Sequence, residues 1–144
     1  MLIDLINETD LLVDTDLLEK IAADLTQRQI ELIITDNEGI TALNRTHRDK
    51  PEPTDVLSFP MESDIPYTPL GVIVISKEYV VENAQKYGHT HQEELTLLFI
   101  HGLLHLVGFD HETDEGQMRK KEEVLIHAWN LPKSLIVRTE GDDI

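Results

Sequence analysis

Residues 95–111 read LTLLFIHGLLHLVGFDH, and the fold turns on this stretch. Leu95, Leu97, Leu98, Phe99, Ile100, Leu103, Leu104, Leu106 and Val107 put apolar side chains on nearly every face of a helix. A helix that is apolar all round belongs in the centre of a fold. His101 and His105 interrupt it. Four residues apart, they share one helix face one turn apart, with a rise of about 6 Å. Burial fixes such a helix, and a rigid element is what a metal site needs. Gly108 tolerates the left-handed backbone that ends a helix, so a turn there can bring His111 back as a third ligand. The pattern is H-x-x-x-H-x-x-G-x-x-H.

Three neutral imidazoles suit one Zn²⁺ at about 2.0–2.1 Å each and leave a fourth position open, as catalytic zinc sites do. Three imidazoles also take Ni²⁺, Co²⁺ or Cu²⁺, and affinity order alone does not select zinc. The spacing matches the metzincin signature H-E-x-x-H-x-x-G-x-x-H except at Gly102, where the protease has its general base. Losing a general base costs about 10²–10⁴-fold, which disfavours peptide hydrolysis. Two histidines four apart can arise by coincidence. Three of the seven in this order, with glycine at the turn, are harder to dismiss.

The chain has 144 residues, 40% of them hydrophobic, which suits one domain spanning 1–144 with an ordinary core. It has no cysteine, which excludes both a disulfide framework and a thiolate zinc site. The first ten residues, MLIDLINETD, are acidic where a signal peptide needs a basic region. No apolar run reaches the roughly 20 residues that span a bilayer. The expected setting is therefore the cytoplasm, with no membrane partner. A formal net charge of −16 repels phosphate backbones at long range and argues against broad nucleic-acid binding, though not against a small basic patch.

The periodicities outline the remaining elements. A first strand is expected over 1–7. A helix capped by Asp14 or Thr15 follows, with Leu17, Leu18, Ile21, Ala22 and Leu25 on one face. Residues 29–35 (QIELIIT) read as a second strand, Asp36 and Asn37 as a turn or cap, and 40–48 as a short helix. Pro51, Pro53 and Pro60 bracket a loop and a short strand over 55–59. Residues 70–76 (LGVIVIS) read as a buried strand. Ser76 is placed to cap a helix over 77–87 that Gly88 ends. Thr90 and Glu93 form a capping-box pattern before the histidine helix. Thr113 can cap a last helix to Trp129, with Met118, Leu125 and Trp129 inward, and Pro132 stops it.

Arg45, Arg48 and Lys50 are three cations within six residues of an acidic chain, with Asp55 and Ser58 just beyond. Arginine grips phosphate through paired hydrogen bonds. Basic residues at a helix end also serve the dipole and solubility, so this patch matters only if it lies beside the histidines. Arg119, Lys120 and Lys121 lie among glutamates and read as a solvated face.

Together these stretches resemble the YbeY family of metal-dependent endoribonucleases. The family signature H-G-x-L-H-L-x-G-[FY]-D-H is matched in full by residues 101–111. A second family block, L-N-x-x-[aromatic]-R running into P-T-D-V-L-S-F-P, is matched by Leu43, Asn44, Arg48 and residues 53–60. Three positions depart. His47 stands where tyrosine is common, Val72 where aspartate follows the glycine, and Glu93 where arginine precedes the glutamate.

The resemblance implies an α+β fold, a mixed sheet of about four strands with helices around it and a central buried metal-binding helix. It implies zinc on His101, His105 and His111, and cleavage of single-stranded RNA. It also implies roles in maturing the 3′ end of small-subunit ribosomal RNA and in ribosome quality control, with the small ribosomal subunit or its proteins as partners. Arg48 is the expected catalytic phosphate-binding residue, with Arg45 and Ser58 as further candidates for substrate binding. Asp110 is placed to accept a hydrogen bond from a ligand imidazole, or to fix the loop after Gly108. Two other classes stay open: a zinc hydrolase of peptide or amide bonds, and a non-catalytic ribosome-binding factor whose metal is structural.

Overall fold

The computed structural model describes residues 2–61, 68–110 and 115–132. Nine elements follow in order: β1 (Ile3–Asn7), α1 (Thr15–Leu25), β2 (Ile30–Thr35), α2 (Asn37–Arg48), β3 (Val56–Pro60), β4 (Gly71–Ser76), α3 (Lys77–Tyr87), α4 (His91–Leu106) and α5 (Gln117–Ala128). The sheet order is β1-β2-β4-β3. β1, β2 and β4 run parallel, and β3 pairs antiparallel with β4, Ser58 opposite Ile73. The expected mixed four-stranded α+β fold is the one observed. Pro60 closes β3, an edge strand, where a missing N–H costs least.

Side-chain alternation along the strands gives the sheet two faces. Ile30, Leu32 and Ile34 of β2 and Ile73 and Ile75 of β4 pack with Leu95, Leu98, Phe99, Leu103 and Leu106 of α4. Leu57, Val74, Ile33 and Phe59 face the other way, against Ile40 and Leu43 of α2. The far side of α4 is covered in turn. Ile100 and Leu104 pack with Ile21 of α1 and with Met118 and Leu125 of α5, and Leu97 packs with Ile126. α4 is thus enclosed by the sheet and by α1, α3 and α5, as its all-round apolarity requires.

Local chemistry explains the helix ends. The Asp14 side chain accepts the Asp16 N–H and caps α1, which selects Asp14 over Thr15. Thr90 and Glu93 make both bonds of the capping box ahead of α4. α2 begins three residues before the expected Ile40, because Asp36 accepts the Gly39 N–H and Glu78 accepts that of Asn37. Ser76 holds the cap position of α3 without capping it. Its hydroxyl donates to Asn37 Oδ1 at 2.7 Å instead. α5 starts at Gln117, behind Gly116 at φ 98°, and Gly116 rather than Thr113 holds its cap position. Thr113 itself lies outside the described residues.

Candidate metal centre

α4 carries His101 and His105 one turn apart, both lining a cleft shared with β3. Their Nε2 atoms stand 3.1 Å apart. Each ring is held from its other nitrogen. His101 Nδ1 lies 2.8 Å from Glu122 Oε1 on α5, and His105 Nδ1 lies 3.0 Å from the Phe109 carbonyl. A carbonyl only accepts, so His105 carries its proton on Nδ1, and the carboxylate assigns the same tautomer to His101. Rings so held turn their Nε2 atoms toward each other.

Two nitrogens each about 2.0–2.1 Å from one tetrahedral ion stand about 3.3 Å apart, close to the separation seen. The donor set therefore fits one transition-metal ion. His111, the expected third ligand, lies outside the described residues. Gly108 supplies the expected turn. At φ 108° it takes a conformation that favours glycine and swings the chain so that the Phe109 carbonyl returns over His105.

The histidines open onto a cleft of about 430 Å³. One wall is α4 and its exit: His101, His105, Gly108, Phe109 and Asp110. The other is Thr54, Val56, Ser58 and Pro60, with Arg48 reaching in from the end of α2. The basic segment and the histidines, 53 residues apart from Arg48 to His101, thus meet in one cavity.

The two further candidates for substrate contact are placed differently. Arg45, one turn before Arg48, lines a separate shallow hollow with Asn37, Glu38, Thr41 and Ala42. Ser58 does line the cleft, but its hydroxyl donates to the Gly102 carbonyl at 3.1 Å. Asp110 is exposed at the cleft rim. Glu122 and the Phe109 carbonyl support His101 and His105 from their Nδ1 atoms. Of the departures from the family pattern, Val72 lies on the sheet face toward α2 and Glu93 serves the capping box, so neither lines the cleft. His47 is exposed and its ring centroid lies 4.7 Å from that of Phe59.

Glu122 is the site residue that the sequence reading missed. Met118, Leu125 and Ile126 form the buried stripe of α5, and Glu122 sits on that stripe at 3% exposure. A carboxylate at a position where the helical period calls for an apolar residue was the available signal.

Gly102 is also explained by packing. A Cβ there would lie 2.9 Å from Ile73 Cγ2 and 3.0 Å from Ser58 Oγ. The position is pressed against the sheet and does not face the open cleft.

A family model described as Endoribonuclease YbeY matches residues 6–130. Curated relatives of that name include one from Sulfurovum sp. (strain NBC37-1), 60% identical with 96% of this chain and 98% of the relative covered. Another, from a Nitratiruptor species, is 53% identical with 96% of each covered. Among solved structures, the solution structure of TM1509 from Thermotoga maritima superposes with a TM-score of 0.60 at 26% identity, covering 96% of this chain and 92% of that one.

Proposed function

The chain belongs to the YbeY family of endoribonucleases, and we propose on that premise that it cleaves single-stranded RNA with one zinc ion held by His101, His105 and His111. Its biological substrate in this reading is ribosomal RNA, at the 3′ end of the small-subunit species and in ribosome quality control, in the cytoplasm. The single observation that carries the proposal is the convergence of Arg48 and the paired Nε2 atoms on one cleft.

When bound, the ion supplies Lewis acidity beside the scissile phosphorus. The residues of the chain do the rest. His101 and His105 are aimed by their Nδ1 partners. Arg48 binds the phosphate and offsets the charge that grows on it. Asp110 and the Gly108 turn border the strand path. α4 offers no base at Gly102, and RNA brings its own nucleophile in the 2′-hydroxyl. Product ends report the attacking group: a 2′,3′-cyclic phosphate marks the 2′-hydroxyl, and a 5′-phosphate marks water.

The net charge of −16 favours RNA met within the small ribosomal subunit and its proteins over free RNA in solution. No described helix is long and apolar enough to cross a membrane. Hydrolysis of peptide bonds is disfavoured twice, by the missing base and by the lack of room for one at position 102.

The test is cleavage of an end-labelled single-stranded RNA by zinc-loaded protein beside identically purified His101→Ala. Cleavage by the wild type alone is expected. Equal cleavage by both, or by neither, overturns the nuclease assignment for the isolated protein and shifts weight to a ribosome-binding factor with a structural metal.

A further inference from the structure

Glu122 and His101 come from different helices, 21 residues apart, and meet in the core at 2.8 Å. Both side chains are buried, 4% and 5% exposed. A buried carboxylate is costly unless it is paired and hydrogen-bonded. The rest of the stripe around it, Met118, Leu125 and Ile126, is apolar. Core packing alone therefore gives no reason for a glutamate here.

We propose that Glu122 is the positioning residue of the metal centre. As the acceptor for His101 Nδ1–H, it fixes the ring's tautomer and rotation, so that Nε2 meets the ion together with Nε2 of His105. The two histidines are then supported unequally. His105 is held by a backbone carbonyl belonging to its own helix exit, and any sequence with the Gly108 turn supplies that bond. His101 takes its Nδ1 partner from a side chain delivered by α5. The docking of α5 on α4, through Met118 and Leu125 against Ile100 and Leu104, thereby sets the aim of a ligand on another helix. A carboxylate behind a ligating imidazole also makes it a better donor, and loss of such a partner typically costs about 10–100-fold in metal affinity or activity.

This inference rests on the proposed metal site, and its test separates the two. Zinc affinity is measured by competition with a chromophoric chelator for wild type, His101→Ala, Glu122→Leu and Glu122→Gln, with zinc-free melting curves for each. Glu122→Leu is expected to lose about 10–100-fold in zinc affinity. Glu122→Gln retains an acceptor oxygen and is expected to fall between it and wild type. A wild-type affinity no better than that of His101→Ala overturns the metal site itself. A clear loss in His101→Ala with wild-type affinity in folded Glu122→Leu overturns only the role of Glu122. A further readout needs no variant: nitrogen magnetic resonance of the zinc-free wild type is expected to find the His101 proton on Nδ1. A proton on Nε2 overturns the proposal even if Glu122→Leu fails to fold.

Discussion

The Ser58 hydroxyl donates to the Gly102 carbonyl across 3.1 Å, tying the edge strand β3 to the middle of α4. One cleft wall is thereby bonded to the helix that carries the histidines, at the point where that helix comes closest to the sheet. Installing the protease base as Gly102→Glu is expected to force Ile73 and Ser58 aside and to cost about 1–3 kcal/mol or more of stability, the usual range for overpacking. It should give no peptidase activity. Chemical denaturation checks the first point, and a variant as stable as wild type would mean that α4 does not pack as described.

Metal removal is expected to act on chemistry before it acts on the fold. α4 is held by apolar contacts on every side, so a chelator should abolish RNA cleavage while shifting the melting temperature only modestly. Collapse of the fold on chelation would instead identify a structural metal, whose binding energy is folding energy.

The two arginines of α2 should behave differently. Arg48 lines the cleft and Arg45 does not. Arg48→Ala is expected to lower the cleavage rate about 10²–10³-fold, the scale for losing one preorganised donor to a developing negative charge. Arg45→Ala should leave it near wild type. Single-turnover kinetics on the same RNA compares them, and equal losses would put the RNA path across α2 as well as through the cleft.

Tyr79 gives a pH signature. Burial pushes its phenol above the ordinary value of 10.0, and the negative charges of Asp55, Glu82 and Glu52 push it the same way. The folded state thus holds this proton more tightly than the unfolded chain does. Its contribution to stability is complete below pH 10 or so and is lost as pH rises through the folded-state value. Ultraviolet titration of tyrosinate should show a late-titrating group that Tyr79→Phe removes and Asp55→Asn moves downward. Unchanged curves in both variants would contradict the assignment.

What could be read from the sequence was whatever one element encodes by itself. All-round apolarity placed α4 at the centre, Thr90 and Glu93 marked its start, and Gly108 marked the turn beyond it. What escaped depends on residues far apart in the chain. The polar first turn of α2 is helical partly because Glu78 of α3 takes the Asn37 N–H. Ser76 is diverted from capping by Asn37, 39 residues away. Arg45 and Arg48 look equivalent in sequence, and only the fold sorts them, Arg48 into the cleft and Arg45 into a hollow of its own. Glu122 was hidden because its partner lies on another helix.

The order in which the parts are made has its own consequence. All four strands are complete by Ser76, yet the sheet face formed by Leu32, Ile34, Ile73 and Ile75 is covered by α4, which begins at His91. On a ribosome adding about 5–20 residues per second, that oily surface exists for seconds before its cover is synthesised. A chain stalled before His91 has no way to bury it and becomes a sticky fragment. The helix that closes the core is also the one that delivers the histidines, so no chain that ends before His91 can present the cleft.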